Sequence, residues 1–361
     1  MPADSNARVL VYVGTYNEDP EKGIYHFLLD PASGSLEPAG RTPGVPTPFF
    51  VRVDAAGRRL YAANALDECD GVGQGAVSAF DIDPSTGSLS FLGRQPSGGT
   101  LPCYIDFDRE GRFLLTGNYN SGSVAVLPIE AGGLGPAVAT VQHEGSSVDE
   151  ERQEGPHVHC MVLDPSGRWA LAADLGTDEV RVYGLTGGGG LRPADPPAAS
   201  SAPGAGPRHI AFHPRRSVAY VLNELDTTLS VFDWDPEEGR LTERQTVPAL
   251  PPGFDGHNHA ADVKILPSGR FLYTSNRGHD SIAVFAVEEA TGCVEIVGHQ
   301  PAQGSWPWNL GIDPTARCLL AANFESDCVS VFRIDGDSGG LTPTGVRARV
   351  PKPVCVTMLH G

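Results

Sequence analysis

Two arginines, a glutamate and a histidine in the middle of the chain have the side-chain chemistry of a small-anion site: His159, Arg208, Glu224 and Arg277. A carboxylate between two guanidinium groups keeps a low pKa, which suits electrostatic or weak-base work better than acid donation. A histidine titrates near neutrality and can carry a proton. In a chain of net charge −18, two arginines form a positive island suited to a carboxylate, a phosphate or an oxyanion.

A second set of residues is placed to contact a substrate: His157, Asn223, His259, Asn276 and Asn118. The three asparagines end predicted strands, where an asparagine more often bonds its own turn than a ligand. For the charged residues, the structural alternative is an ion pair of Arg208 with Glu224, with His159 bonded to a backbone carbonyl.

The elements that position these residues belong to a unit that recurs six times between Pro48 and Arg333. Each copy reads as a short apolar strand, a turn such as D-P-S-G-R, a second strand ending in A-A-N or similar, and a strand such as V-S-V-F. Steps of 54, 56, 49, 53 and 47 residues separate the equivalent positions Asp54, Asp108, Asp164, His213, Leu266 and Asp313. A period near fifty with four short strands per unit is typical of a β-propeller blade.

The two ends of the chain supply one further blade. Val9–Tyr16 and Gly23–Asp30 match the second and third strands of a unit, and Pro351–Leu359 resembles the opening of a unit. We therefore predict an all-β fold, a seven-bladed β-propeller that forms a single domain over residues 1–361. Pairing of the N- and C-terminal strands would close it and remove exposed sheet edges.

In such a blade, the residues just before the first strand and those just after the second lie on one face, near the central channel. His159, Arg208, Glu224 and Arg277 occupy these places in three consecutive repeats, and no other repeat carries strong charges there. A convergent polar funnel on one face is the default site hypothesis. The acidic run Val148–Glu154 precedes it in a long insertion, which we expect to be solvated surface or a lid over the funnel.

Composition narrows the function classes and the compartment. The net charge of −18 argues against nucleic acid and anionic membrane surfaces as partners. No apolar run of about 18 residues predicts a membrane span, and the first ten residues lack a signal-peptide pattern. The seven cysteines form no C-x-x-C pair, which favours reduced thiols in the cytoplasm. A Pro/Ala/Ser-rich stretch, Pro193–Pro207, predicts a long loop.

Four motifs resemble those of the seven-bladed lactonase family: Gly155–His159 (GPHVH), Gly206–Pro214 (GPRHIAFHP), Val221–Leu225 (VLNEL) and Leu272–Arg277 (LYTSNR). That family includes a bacterial 6-phosphogluconolactonase and the fungal 3-carboxy-cis,cis-muconate lactonizing enzyme. The resemblance implies that His159, Arg208, Glu224 and Arg277 correspond to the family's proposed active-site residues. It also implies a small anionic lactone as the substrate and no requirement for a metal or other cofactor.

Three functions remain open at this point. The leading one is hydrolysis of 6-phosphogluconolactone or a related sugar-acid lactone. The alternatives are a lactonizing reaction on a muconate and a non-catalytic propeller that binds a ligand or protein; the oligomeric state is left open. Two H-x-H pairs, His157/His159 and His257/His259, could hold a divalent ion with a nearby aspartate. Neither has the spacing of a full ligand set, so we predict no metal.

Overall fold

A computed structural model describes residues 8–17, 19, 21–69 and 71–359 of the chain. The N-terminal stretch without a signal-peptide pattern therefore lies, up to residue 7, outside the described residues. The described residues form seven antiparallel sheets arranged as the blades of a propeller, as the repeat predicts. No helix with the length and apolarity needed to cross a bilayer occurs in the described part of the chain.

The strands follow one another in chain order from blade to blade. Blade 1 contains β1 (Val9–Thr15), β2 (Ile24–Leu29) and β3 (Leu36–Thr42). Blade 2 contains β4 (Pro48–Val53), β5 (Arg59–Asn64), β6 (Ala76–Ile82) and β7 (Leu89–Pro96). Blade 3 contains β8 (Pro102–Phe107), β9 (Phe113–Asn118) and β10 (Ser123–Glu130), with β11 (Gly133–Leu134) and β12 (Ala139–Gln142) paired along β10.

The remaining four blades carry the candidate site and the closure. Blade 4 contains β13 (Val158–Leu163), β14 (Trp169–Asp174), β15 (Glu179–Leu185) and β16 (Leu191–Ser200). Blade 5 contains β17 (Pro207–Phe212), β18 (Val218–Asn223), β19 (Thr228–Asp235) and β20 (Arg240–Pro248). Blade 6 contains β21 (His259–Ile265), β22 (Phe271–Arg277), β23 (Ser281–Val287) and β24 (Val294–Pro301). Blade 7 contains β25 (Pro307–Ile312), β26 (Cys318–Asn323), β27 (Cys328–Ile334) and β28 (Leu341–Arg349).

The last strand, β29 (Pro353–Met358), closes the ring as predicted. It pairs antiparallel with β1, with Val11 opposite Met358 and Val13 opposite Val356, and so becomes the innermost strand of blade 1. The predicted loop at Pro193–Pro207 is wrong in its first part, because residues up to Ser200 belong to β16. This strand pairs on one side only, and prolines are tolerated on such an edge because no partner there requires their missing N–H.

The repeated turn and the repeated aromatic residue each have a local cause. The turn aspartate accepts backbone N–H bonds, as from Arg58 to Asp54 at 2.8 Å, and the glycine that follows adopts a positive φ, 66° at Gly57 and 77° at Gly167. The phenylalanines of the third strands are fully buried: Phe80, Phe232, Phe285 and Phe332. Burial of each such side chain contributes about 1.5–3 kcal/mol.

Neighbouring blades are also joined by hydrogen bonds from the second strand to the outer hairpin of the next blade. The Tyr220 hydroxyl donates to the Gly292 carbonyl at 2.9 Å, and the Tyr273 hydroxyl donates to the Gly339 carbonyl at the same distance. Arg333 of blade 7 donates to the Pro31 carbonyl of blade 1. The ring is therefore held by polar contacts as well as by its apolar core.

Candidate active site

A β-bulge at the start of the inner strands sets the direction of the first group of site residues. In five blades the register between first and second strands shifts by one residue at the same place. The extra residue of a bulge leaves the ladder and its side chain is re-aimed. The bulged residues are Phe49, Cys103, His159, Arg208 and Trp308. His159 and Arg208 are therefore equivalent residues of adjacent blades.

The second group lies at the exit of the second strands. Glu224 directly follows β18, and Arg277 ends β22 at the equivalent position. Tyr119 and Phe324 hold this position in blades 3 and 7. The bulge and the exit position are adjacent in the sheet, because Pro207 pairs with Asn223. Two neighbouring blades thus deliver a carboxylate and a guanidinium group to one mouth of the channel.

Glu224 is the centre of the resulting ion cluster. Its Oε2 accepts from Arg208 Nε at 2.7 Å and lies 2.9 Å from the terminal nitrogen of Arg277. Its Oε1 accepts from Arg152 at 2.8 Å. Burial acts to raise the pKa of Glu224, but the charges of Arg277, Arg208 and Arg152 hold it well below its usual value. Glu224 is therefore a carboxylate throughout the neutral range.

The two predicted arginines are buried and largely engaged. Arg208 is fully buried and donates both to Glu224 and to the Ala261 carbonyl. Arg277 donates to the Ala260 carbonyl at 3.1 Å and lies over the Trp308 ring, 4.7 Å from its centroid. Burial lowers the pKa of Arg277 to about 10, so the guanidinium remains charged near neutrality.

Two histidines flank the carboxylate at a longer distance. His159 Nε2 lies 3.9 Å from Glu224 Oε2, and His259 Nδ1 lies 3.9 Å from Glu224 Oε1. Burial and the charge of Arg208 hold the pKa of His159 well below its usual value. Burial lowers the pKa of His259 to about 4. Both imidazoles are consequently neutral at pH 7.

The remaining predicted contact residues separate into two kinds. His157 lies at the rim, stacked on Tyr119 with ring centroids 4.6 Å apart and with Nε2 3.0 Å from Glu154. The three asparagines are buried, and their side-chain amides donate within or between sheets, as from Asn276 to the Ala249 carbonyl at 2.9 Å. Asn118 donates in the same way to the Ser97 carbonyl at 3.1 Å, and Asn223 donates to Thr228 at 2.8 Å. These bonds favour the turn-stabilising alternative for the three asparagines.

Arg152 is the site residue that sequence reasoning missed. It lies in the acidic run that was expected to be solvated surface or a lid, yet its guanidinium reaches Glu224 Oε1 and the Tyr119 hydroxyl, the latter at 3.2 Å. A lone cation among Asp149, Glu150, Glu151 and Glu154 is the only signal in the sequence. That signal does not indicate where the Arg152 side chain points, since its contact with Glu224 depends on how the insertion packs.

Beneath the cluster, a second polar chain supports Arg208. The His209 Nδ1–H donates to Asp262 at 2.8 Å, and its Nε2 accepts from Arg208 at 3.2 Å. Asp262 also accepts from Lys264 at 2.8 Å. This network assigns the His209 tautomer and fixes the guanidinium of Arg208 behind Glu224.

The described residues offer no cluster of candidate metal ligands beside these charges. No group of three or more histidine, cysteine, aspartate or glutamate side chains there is arranged to hold an ion. In the two H-x-H pairs, His157 bonds Glu154 while His257 and His259 meet edge to face, with centroids 4.4 Å apart. The charged groups at this mouth of the channel are thus guanidinium groups and a carboxylate, a combination that suits the binding of an anion.

The seven blades and the arginine, histidine and glutamate cluster at one channel mouth define the class of this protein as a seven-bladed propeller enzyme. Residues 10–358 match the family described as lactonase, 7-bladed beta-propeller. The chain belongs to this lactonase family.

Individual relatives cover nearly the whole chain. A 6-phosphogluconolactonase of Bacillus subtilis is 38% identical over 350 residues, which are 97% of this chain and 98% of the relative. The solved structure of a periplasmic gluconolactonase of Pseudomonas aeruginosa superposes with a TM-score of 0.92 at 32% identity, covering 98% of this chain and 99% of the other. A solved Bacteroides fragilis structure gives a TM-score of 0.92 at 33% identity, with both chains fully covered.

Proposed function

We propose that the protein hydrolyses a phosphorylated sugar-acid lactone, 6-phosphogluconolactone, as in the pentose phosphate route. The observation that carries this proposal is the placement of three guanidinium groups around one carboxylate at the channel mouth. The excess positive charge suits an anionic substrate and an oxyanion. The name of the Bacillus subtilis relative points to the same substrate.

In the proposed reaction, a water oxygen forms a bond to the lactone carbonyl carbon while Glu224 accepts the proton that the water loses. Arg277 stabilises the charge on the carbonyl oxygen, and Arg208 holds the carboxylate in place. The ring carbon–oxygen bond then breaks, and the proton returns from Glu224 to the leaving ring oxygen. His159, neutral and 3.9 Å from Glu224, is the second candidate for the proton acceptor.

We assign contacts with the sugar hydroxyls to His157 and His259, whose side chains are 11% and 18% exposed, against 3% for Glu224. Asn118, Asn223 and Asn276 are left out of this assignment because their amides already donate within a blade or to the preceding blade. We further propose a cytoplasmic location. Five buried thiols, Cys103, Cys160, Cys318, Cys328 and Cys355, are in keeping with a reducing compartment, and cell fractionation tests this directly because a structural neighbour is periplasmic.

The deciding experiment is an assay of the purified protein with 6-phosphogluconolactone, corrected for spontaneous hydrolysis. We expect turnover that survives EDTA treatment. No turnover of this lactone or of glucono-1,5-lactone would overturn the proposal and favour a binding propeller. Loss of activity in EDTA, restored by one divalent ion, would assign the histidines to a metal instead.

A further inference from the structure

The insertion before blade 4 is a firmly attached strap, defined here as residues 143–157. His143 is buried at its start, with Nδ1 2.6 Å from Asp174 and Nε2 2.8 Å from the Tyr183 hydroxyl. Ser147 donates to Asp178 at 2.6 Å. Gln153 is fully buried and donates to the Leu175 carbonyl at 2.8 Å. These anchors lie on both sides of a short projecting turn, so the strap presents Arg152 to the cluster from a fixed base.

Solvent access distinguishes the three arginines around Glu224. The Arg152 side chain is 32% exposed, whereas those of Arg277 and Arg208 are 5% and 1% exposed. The two buried arginines also donate to backbone carbonyls, at Ala260 and Ala261. The hydrogen bonds of the Arg152 guanidinium within the described residues go to Glu224 and the Tyr119 hydroxyl. Of the three, Arg152 is therefore the one that can turn toward a ligand without breaking backbone contacts.

The two carboxylate oxygens of Glu224 differ in whether a buried or a partly exposed arginine contacts them. Oε2 faces both buried arginines, whereas the one hydrogen bond that Oε1 accepts from the described residues comes from Arg152. His259 Nδ1 is buried without a hydrogen-bond partner among the described residues and lies 3.9 Å from Oε1. Arg152 thus covers the oxygen of Glu224 that a water molecule would otherwise approach.

The net charge of the cluster indicates which kind of ligand would displace Arg152 from Glu224. The cluster holds three guanidinium groups against one carboxylate, an excess of two positive charges. A phosphate monoester carries close to two negative charges at pH 7, because its second pKa is about 6. A phosphorylated lactone would neutralise the cluster, whereas an unphosphorylated lactone would leave the excess in place. Arginine also matches phosphate with two parallel N–H bonds.

We propose that Arg152 is the specificity-determining residue for the phosphate of the lactone, and that phosphate binding moves Arg152 off Glu224 and uncovers Oε1 for the proton of water. This inference rests on the proposed lactonase reaction of the same site. The tether to the Tyr119 hydroxyl keeps the displaced guanidinium near the channel mouth. Binding of the phosphate and exposure of Glu224 Oε1 then occur in the same step.

The test compares two lactones, 6-phosphogluconolactone and glucono-1,5-lactone, on the wild-type protein, Arg152→Met and Arg152→Lys. For Arg152→Met we expect kcat/KM to fall about 10- to 100-fold with the phosphorylated lactone, the usual effect of losing a charged hydrogen bond. With the unphosphorylated lactone we expect kcat/KM to stay within about threefold or to rise. Arg152→Lys should be intermediate. Arg240→Met is the charge-matched control, because the ion pairs of Arg240 within the described part of the chain are with Asp235 and Glu238 in an outer turn.

A binding measurement separates this inference from the proposed function. Calorimetric titration with 6-phosphogluconate and gluconate should show a preference for the phosphorylated acid in the wild type and in Arg240→Met, and little preference in Arg152→Met. Equal losses with both lactones, or an unchanged preference in Arg152→Met, would overturn the role of Arg152 while leaving the lactonase reaction intact. A wild-type protein that turns over neither lactone would overturn the proposed function, and the titration would still decide whether Arg152 recognises phosphate.

Discussion

At the scale of single residues, Glu224 combines two requirements that pull in opposite directions. Three guanidinium groups stabilise its charged form and lower its pKa, which weakens it as a base. The Glu224 carboxylate in turn compensates the positive charge of these groups. This matters because Arg208 is fully buried and an uncompensated buried charge is costly. A substitution at Glu224 therefore changes both chemistry and stability, and an experiment must measure the two separately.

We predict that Glu224→Gln lowers turnover per folded molecule by about 10²–10⁴ and lowers the free energy of unfolding by about 3–5 kcal/mol. Lactone assays and urea unfolding on the same sample check the two numbers. Asp226→Asn is a suitable control, because the hydrogen bonds that the Asp226 carboxylate accepts from described residues come from Thr228. A Gln variant that loses stability but keeps its turnover would reduce Glu224 to a structural partner of Arg208.

His209 makes stability depend on pH on the acid side. Burial and the charge of Arg208 lower its pKa to about 4, although Asp262 opposes them. Below a pH of about 6.5 the unfolded chain takes up the proton and the folded protein does not. The contribution of His209 to the free energy of unfolding should therefore be fully present above pH 6.5 and be lost as the pH drops toward 4.

For His209 alone, this loss amounts to about 3 kcal/mol at the acid end. Unfolding curves in urea at several pH values measure it, with His209→Gln as the variant that cannot titrate. Between pH 6.5 and pH 4 the wild type should lose stability relative to the Gln variant, whose lost bond to Asp262 lowers its stability by a similar amount at every pH. Parallel profiles would show that His209 takes up its proton equally in the folded and the unfolded protein.

At the scale of elements, the strap is an insertion on the surface that nevertheless contributes Arg152 to the site. Side-chain hydrogen bonds, among them those of His143, Ser147 and Gln153, hold the strap in place rather than a strand or helix. Gln153 is the anchor nearest Arg152, and its amide bridges the strap to the Leu175 carbonyl after β14. Loss of this bridge should release the strap locally while the blades stay intact.

We predict that Gln153→Ala makes the bond after Arg152 readily cleaved by trypsin, because the strap then opens without global unfolding. Mass spectrometry of a timed digest identifies the cut, and the melting temperature should change little. Glu150→Ala, an exposed position on the same strap, should digest like the wild type. Equal digestion of Gln153→Ala and wild type would mean that the other anchors suffice.

At the scale of the whole molecule, the ring joins β29 from one end of the chain to β1 from the other. We propose that residues 1–361 form one domain that unfolds in a single transition, since each blade packs on two neighbours. Without β29, blade 1 would lose its inner strand, and blade 7 would lose the neighbour on which β25 and β26 pack. Two exposed edges favour aggregation.

We predict that removal of Pro351–Gly361 yields insoluble or strongly destabilised protein. Residues 360 and 361 lie outside the described residues, so the prediction rests on the β29 pairing alone. Solubility and thermal melting of the truncated chain measure the effect, and a synthetic peptide of residues 351–361 added during refolding should restore part of the loss. A truncated protein that melts at the wild-type temperature would contradict closure through β29.

Much of this architecture follows from local patterns in the sequence. The turn with its positive-φ glycine and the buried third-strand phenylalanine are short-range features that repeat, so their period predicts the blades. The incomplete unit at each end of the chain predicts the closure, because the strand missing at one end is present at the other. The same period places His159, Arg208, Glu224 and Arg277 near one mouth, because equivalent residues of a repeat occupy equivalent positions in a ring.

Only the tertiary structure decided which of those residues touch and what else joins them. Arg152 reaches Glu224 from an insertion that breaks the repeat, so no period predicts its approach. The asparagines follow the repeat, yet the carbonyls to which Asn118 and Asn276 donate come from the preceding blade, which is a long-range contact. The pKa values of Glu224 and His159 likewise depend on burial and on charges brought from other parts of the chain, which a linear pattern does not encode.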